Sequence, residues 1–85
     1  MNPVTYVVYM IQCNDKSFYV GMTSNIHKRL WQHKNNKEAK FFRRKNKLPI
    51  TLIYQVDFNS KLNAIKYEKY LKKLNKKRKL KLVTG

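Results

Sequence analysis

The feature that most constrains the fold is a pair of apolar runs on either side of a short polar break near the amino terminus. The runs cover residues 4–12 and 17–22, and both are rich in the β-branched and aromatic residues that strands favour. The Asn-Asp-Lys sequence at residues 14–16 is typical of turns. The sequence therefore predicts an antiparallel hairpin.

Side-chain alternation gives two tyrosines defined positions on this hairpin. Val7, Tyr9 and Ile11 share one face of the first predicted strand. Tyr19 and Gly21 share one face of the second. Each strand thus holds a phenol near the middle of a small sheet, and we expect Gly21 to leave open space at the rim. Cross-strand packing is an alternative explanation for the tyrosine pair, because aromatic residues are common in strands.

The chain carries a large excess of positive charge. It has 85 residues, with 20 Lys and Arg against 4 Asp and Glu, a formal net charge of +16. This length predicts one domain over residues 1–85, with a core over residues 4–74 and a basic tail over residues 75–85. Such charge is typical of a protein with a polyanion partner, and nucleic acid is the leading candidate. A basic structural protein associated with RNA or the ribosome is an alternative.

The sequence lacks the signals of a membrane or exported protein. No apolar run is long enough to span a bilayer, and neither end carries a lipidation signal. Met1 is followed by a polar start instead of a basic and apolar signal sequence, so we expect a cytoplasmic protein. Cys13 is the single cysteine, which excludes a disulfide framework and a paired-cysteine metal site.

A helix with polar side chains on its inner face is predicted after the hairpin. Residues 23–25 offer capping oxygens, and the apolar period that follows predicts a helix over residues 25–35. At about 100° per residue, one stripe of this helix holds Ile26, Arg29, Leu30 and His33. An arginine and a histidine are therefore expected on the face that packs toward the sheet. Trp31 is expected to pack at the rim of the core, with stacking on a base as the alternative.

The second half of the chain predicts a third strand and further helices. Residues 51–58 alternate, with four apolar side chains on one face, Leu52, Tyr54, Val56 and Phe58. Residues 35–46 are predicted as a short helix or a packed loop. A basic run over residues 72–81, interrupted by leucines, predicts a short amphipathic helix at the end of the chain.

Glu68 occupies a special place on the helix that is predicted over residues 61–75. Ser60 is the expected N-cap of this helix. The apolar stripe of the helix consists of Ala64, Tyr67, Leu71 and Leu74. Glu68 borders that stripe and is the acidic residue with a route into a cleft.

Five side chains from these elements form a candidate site, namely Tyr9, Tyr19, Arg29, His33 and Glu68. A carboxylate such as Glu68 can hold Mg²⁺ or Mn²⁺, because waters and phosphate oxygens complete the coordination. The planar fork of Arg29 can grip phosphate oxygens and stabilise the charge that grows in a transition state. Tyr9 and Tyr19 are candidates for a base and a positioning group. These residue types suit phosphodiester hydrolysis.

The order of these residues resembles the GIY-YIG nuclease family, which includes homing endonucleases, restriction enzymes and the incision module of bacterial excision repair. Residues 7–9 and 19–21 resemble the two motifs that name the family. The resemblance covers about residues 4–74 and is closest to the small stand-alone bacterial members. It implies an α/β (α+β) fold with a small three-stranded antiparallel sheet flanked by helices, one divalent metal ion and phosphodiester cleavage.

The resemblance also implies individual roles. Tyr9 and Tyr19 match the motif tyrosines, and Gly21 matches the motif glycine. Arg29 matches the catalytic arginine of the family, and Glu68 matches its metal ligand.

His33 stands where many members carry a histidine or tyrosine that assists the nucleophile, although a boundary histidine on an inner helix face is the alternative. Two positions depart from the family pattern. Val7 stands where the first motif is named for glycine, and Met22 stands where the repair members carry lysine. The auxiliary phosphate contact from that lysine is therefore missing.

Further basic residues extend the predicted nucleic-acid surface. They are Lys28, Arg43, Arg44 and Lys45. Because Phe41 and Phe42 precede the last three, a core anchor followed by a solvated face is the alternative.

The sequence and the resemblance together predict a divalent-metal-dependent endonuclease that uses Mg²⁺ or Mn²⁺ and acts on nucleic acid, with DNA preferred over RNA. The alternative is a nucleic-acid-binding module that keeps the fold without turnover. Since no recognition domain is expected within residues 1–85, specificity should come from this domain, from substrate shape or from a partner protein.

Overall fold

The described residues form one small sheet and three helices. The structure of the protein, a computed structural model, describes residues 4–35 and 47–84. The elements in chain order are β1 (Tyr6–Cys13), β2 (Phe18–Thr23), α1 (Ile26–Asn35), β3 (Ile50–Phe58), α2 (Lys61–Lys73) and α3 (Lys76–Thr84). The strands form an antiparallel sheet in the order β2-β1-β3. The predicted α+β fold is confirmed.

The β1–β2 turn is tied to the chain that enters β3. Lys47 is 7% exposed, and its Nζ lies 2.7 Å from Asp15 Oδ2 and 2.8 Å from Ser17 Oγ. Hydrogen bonds from Lys47 and Ser17 hold the pKa of the Asp15 carboxyl well below its usual range. Lys16, at the tip of this turn, has a left-handed backbone with φ of 71°. The turn thus fixes the hairpin and the start of the third strand together.

Both faces of the sheet are buried. The first core cluster lies on one face and consists of Val7, Tyr9, Ile11, Cys13 and Ile50. Side chains of α1 pack against this cluster. The second core cluster lies on the other face and consists of Val8, Met10, Val20, Ala64 and Leu71. Side chains of α2 and α3 pack there. Because β1 is central, its alternate residues supply both clusters.

A β-bulge in the β1–β3 pair corrects the predicted alternation of the third strand. Met10 pairs with Tyr54, whereas the next residue, Ile11, pairs with Leu52. Ile53 is therefore an extra residue on β3, as a bulge requires. Leu52 packs against the first core cluster and Tyr54 against the second. The prediction that they share one face is wrong, because the extra residue in the bulge places Leu52 and Tyr54 on opposite faces of the sheet.

Helix α1 has the predicted cap and inner face. Asn25 Oδ1 accepts a hydrogen bond from the Lys28 backbone N–H at 3.1 Å. Ile26 and Leu30 pack against the first core cluster, and His33 is 1% exposed. The expected rim packing of Trp31 is wrong, since its side chain is 57% exposed.

The boundaries of the other elements differ modestly from the predictions. β1 begins at Tyr6 and ends at Cys13. Compared with the predicted strand over residues 4–12, it lies closer to the turn. Ser60 caps α2 as predicted, because its Oγ accepts from the Asn63 backbone N–H at 3.3 Å. The helix ends at Lys73, and α3 is a separate helix.

Helix α3 packs on the sheet through residues near its end. Leu82 and Val83 contact the second core cluster, whereas Leu80 is 40% exposed. The chain after residue 74 thus continues to cover the sheet. Within the described residues, no helix is long and apolar enough to cross a membrane.

Candidate active site

The tyrosines of the hairpin lie on the α1 face of the sheet. Tyr9 pairs with Gly21 and Ile11 pairs with Tyr19 across β1 and β2, and paired residues project to the same face. A Cβ atom built on Gly21 would lie 2.6 Å from Tyr9 Cζ. The open space that was expected at Gly21 is therefore filled by the Tyr9 ring. Glycine is needed here so that this ring can cross β2.

His33 joins the two phenols in one cluster, which we call the ring cluster (Tyr9, Tyr19 and His33). Tyr9 Oη lies 2.8 Å from His33 Nε2 in a buried hydrogen bond. When the neutral imidazole carries its proton on Nδ1, the Tyr9 hydroxyl donates the hydrogen bond and Nε2 accepts it. The Tyr19 and His33 rings meet edge to face, with centroids 5.3 Å apart, and the tyrosine centroids are 6.4 Å apart.

The two phenols differ in exposure, and burial holds both of them neutral. Tyr9 is 1% exposed, whereas Tyr19 is half-buried. Burial raises the pKa of Tyr9, and the neighbouring Tyr19 raises it further. Burial also raises the pKa of Tyr19. Neither side chain is a phenolate near neutral pH.

The charges of Arg29 and Glu68 shift the pKa values of both phenols in opposite directions. The Arg29 guanidinium lowers the pKa of Tyr9 and of Tyr19, and the Glu68 carboxylate raises both. Arg29 is half-buried on α1, one turn before His33. Glu68 lies on α2, where its side chain is 21% exposed and its Oε1 is 3.8 Å from Lys72 Nζ. Elements from both faces of the sheet therefore contribute charge to the ring cluster.

A polar cleft of about 350 Å³ opens beside Arg29 at the start of α1. Its lining residues are Thr23, Ser24, Asn25, Lys28, Arg29 and Gln32. Lys28, which was predicted to bind nucleic acid, lies here and is exposed. A cleft with two cations and several hydrogen-bonding groups suits a phosphate backbone.

Sequence reasoning missed part of this cleft. The capping pattern assigns residues 23–25 only to the helix start, and no pattern assigns Gln32 a role. The spacing of Gln32 offered a signal, because a residue three positions after Arg29 lies on the same side of the helix.

The structure brings together the predicted site residues that it describes. The ring cluster forms by direct contact, and Arg29 and Glu68 influence it through their charges. Arg43, Arg44 and Lys45 lie outside the described residues, as does most of the segment that was predicted as a short helix or loop. The chemical roles of the site residues stay predictions.

The chain is similar to several bacterial proteins. The UPF0213 protein YsiG of Lactococcus lactis is 42% identical over 79 residues, which cover 92% of this chain and 74% of the relative. The UPF0213 protein YazA of Bacillus subtilis is 37% identical over 79 residues, which cover 93% of this chain and 78% of the relative.

Two solved structures have the same fold. The solution NMR structure of the UPF0213 protein BH0048 from Bacillus halodurans matches with a TM-score of 0.61 at 31% identity, covering 94% of this chain and 83% of that one. The protein EF2693 from E. faecalis matches with a TM-score of 0.64 at 32% identity, covering 94% and 84%. The family model described as the GIY-YIG catalytic domain matches residues 5–81. This chain therefore belongs to the GIY-YIG family, whose activity in general is that of a nuclease.

Proposed function

We propose that this protein is a divalent-metal-dependent endonuclease that hydrolyses phosphodiester bonds in nucleic acid, with DNA as its main substrate. The observation that carries the proposal is the buried Tyr9–His33 hydrogen bond of 2.8 Å, set beside Tyr19 in the field of Arg29 and Glu68. Each part of the site suits one requirement of phosphodiester hydrolysis.

The first requirement is a base for the attacking water. The raised pKa of Tyr9 excludes a resting phenolate, so this phenol is a poor base by itself. It can instead relay a proton, giving its own to His33 Nε2 while its oxygen takes one from the water. His33 is then the net proton acceptor, a role that suits a neutral imidazole. Tyr19 is the more exposed phenol and serves to position substrate.

The second requirement is stabilisation of the charge that develops on the phosphate. Arg29 lines the polar cleft, and its charge lowers the pKa of both phenols in the ring cluster. Its guanidinium can hold two phosphate oxygens in a fixed geometry, which an ammonium group cannot do. Lys28 adds charge at the same cleft and holds the substrate backbone.

The third requirement is assistance to the leaving oxygen, and Glu68 is the residue that would hold a metal ion for this purpose. Its partly exposed carboxylate is a hard oxygen donor, and its neighbour Lys72, 3.8 Å away, has a side chain that is 57% exposed. This donor chemistry fits Mg²⁺ or Mn²⁺, which are commonly held by one or two carboxylates together with water and substrate phosphate. The bound ion would polarise the phosphate and stabilise the departing oxygen.

The experiment is incubation of the purified protein with linear duplex, single-stranded, flapped and branched DNA, and with matched RNA. Each substrate is tested with Mg²⁺, with Mn²⁺ and with EDTA. We expect metal-dependent cleavage of at least one DNA substrate, and the panel also tests substrate shape as the source of specificity. Specificity supplied by a partner protein and action in the cytoplasm are further parts of the proposal. Absence of cleavage under every condition would favour the binding module without turnover.

Replacement of Arg29 by lysine tests the chemistry more closely. Arg29→Lys keeps the charge and loses the two-pronged geometry, so binding in EDTA should be nearly unchanged. Cleavage should slow on the order of 10²-fold or more, as is typical when a transition-state contact is lost. Binding is measured by fluorescence anisotropy and cleavage under single-turnover conditions. If Arg29→Lys cleaved at the parent's rate, Arg29 would bind the substrate phosphate without stabilising the transition state.

A further inference from the structure

A second cleft lies between α2 and α3, and we call it the α2–α3 groove. It has a volume of about 310 Å³ and is lined by Tyr70, Leu74, Arg78, Lys81 and Leu82. Leu74 and Leu82 are half-buried, whereas the other three side chains are exposed. This volume is at the lower end of small-molecule sites, which leaves room for about one nucleotide unit.

Tyr70 presents a ring that the protein holds in place. Its side chain is 52% exposed, and it stacks on Tyr67 with a centroid distance of 5.8 Å and an interplanar angle of 28°. Tyr67 is fixed in turn, because its hydroxyl lies 2.7 Å from that of Tyr54 and its ring lies 5.4 Å from Phe58. An aromatic ring that is already ordered loses little entropy when it binds a ligand.

Exposure alone would not mark Tyr70 as functional, since single apolar side chains on a surface need no explanation. Trp31 and Leu62 are more exposed, at 57% and 61%. Tyr70 differs from them in two ways. It borders a groove whose lining includes Leu74 and Leu82, and its ring is one member of a fixed stack.

The charge of the groove favours an anionic occupant. Arg78 and Lys81 are one turn apart on α3 and therefore lie on the same side of the helix. Five of the nine residues of α3 are Lys or Arg. The lining of the groove includes no acidic side chain among the residues that the structure describes. An aromatic platform beside a track of cations is the arrangement that proteins use for single-stranded nucleic acid.

We propose that the α2–α3 groove binds single-stranded nucleic acid, with one base stacked on Tyr70 and the adjoining phosphates held by Arg78 and Lys81. Duplex nucleic acid does not fit the stacking part of this site, because its bases are paired and covered by their neighbours. The groove would therefore favour substrates that carry a single-stranded arm. The inference concerns binding in the absence of metal and does not depend on cleavage.

The test compares Tyr70→Leu with Tyr70→Phe on two probes of equal charge. One probe is a labelled oligothymidylate of about ten nucleotides, and the other is an abasic oligomer of the same length. Binding is measured in EDTA by fluorescence anisotropy. We expect Tyr70→Leu to weaken binding of the oligothymidylate roughly tenfold, because base–aromatic stacking is lost. It should leave binding of the abasic oligomer unchanged, which also shows that the variant is folded.

Two controls isolate the ring and the charge. Tyr70→Phe keeps the ring and should bind the oligothymidylate like the parent. Arg78→Gln should weaken both probes, whereas Lys61→Gln, at the far end of α2, should weaken them much less. Equal affinity of the parent and Tyr70→Leu for the oligothymidylate would overturn the inference. An equal loss of affinity for both probes would overturn it as well, because it would show that Tyr70 supports the fold and does not stack on a base.

Other occupants of the groove give distinct results. Tyr70-dependent binding to phosphatidylglycerol vesicles without Tyr70-dependent binding to the oligomer would assign the groove to a lipid surface. Self-association that is lost in Tyr70→Leu, without an effect on the oligomer, would assign it to a second copy of the chain. Both results overturn the inference. Metal-dependent cleavage together with binding that does not depend on Tyr70 would support the nuclease proposal and overturn the groove inference. Tyr70-dependent binding without cleavage would support the groove inference and contradict the nuclease proposal.

Discussion

Tyr9 shows how one residue can serve the fold and the candidate chemistry together. Its ring fills the space above Gly21 and belongs to the first core cluster. Its hydroxyl forms a hydrogen bond with His33 in the same buried region. The cost of burying a hydroxyl is offset by that hydrogen bond. Removing the ring would damage the core, so the hydroxyl must be tested by itself.

Tyr9→Phe makes that test through the dependence of stability on alkaline pH. The ordinary phenol pKa is 10.0 and the folded protein raises it, so folding favours the protonated form. This contribution is fully present below pH 10 and is lost as the pH rises toward the folded pKa. We expect the free energy of unfolding, measured in urea, to fall above pH 10 less steeply in Tyr9→Phe than in the parent. Identical slopes for the two proteins would contradict the buried state of this phenol.

The candidate site can be predicted from the sequence because its residues lie at positions that short-range patterns fix. Tyr9 and Tyr19 are placed by strand alternation, and Arg29 and His33 by the helical period. Contacts between distant residues could not be read in this way. Nothing local indicates that Tyr9 and His33 form a hydrogen bond, or that the Tyr9 ring covers Gly21.

At the scale of elements, the bulge in β3 shows why predicted registers fail. Both faces of the sheet are buried, so Leu52 and Tyr54 meet apolar surroundings on either side. An alternating pattern specifies a face only when the other face is polar. The salt bridge between Lys47 and Asp15, which are 32 positions apart, could not be predicted either. A chain with so many basic residues offers many candidate partners for one carboxylate.

The hairpin turn gives a prediction about stability. Lys16 has φ of 71°, which crowds any side chain that has a Cβ atom. Lys16→Gly should therefore be more stable than Lys16→Ala by about 1 kcal/mol, since both variants lose the charge and only glycine loses the Cβ atom. Urea denaturation measures the difference. A glycine variant no more stable than the alanine variant would show that the turn adopts another conformation.

The charge of the whole molecule exceeds what the candidate active site uses. Arg29 and Lys28 account for two cations at the polar cleft, whereas the chain has 20 Lys and Arg. Net charge of this size destabilises a compact fold through self-repulsion. A polyanion bound along more than one surface would relieve it, and the α2–α3 groove is the second such surface that we propose.

Salt dependence of binding measures how much of this charge meets phosphate. Each phosphate neutralised on duplex DNA contributes about −0.9 to the slope of log affinity against log salt. Engagement of about four phosphates would give a slope of about −3.6. The measurement is a salt titration in EDTA with a labelled duplex. An affinity that stays constant between low and moderate salt would remove nucleic acid from the list of partners.

The central claim is that Glu68 and the ring cluster form one metal-dependent nuclease site, and Glu68→Gln tests it most directly. The variant keeps the side-chain volume and removes the charge, so the fold and the affinity for DNA in EDTA should persist. Asp57→Asn removes an exposed carboxylate on β3 and serves as the matched control. On a substrate that the parent cleaves with Mg²⁺ or Mn²⁺, we predict that Asp57→Asn cleaves like the parent and that Glu68→Gln does not cleave. Cleavage by Glu68→Gln at the parent's rate would contradict the account.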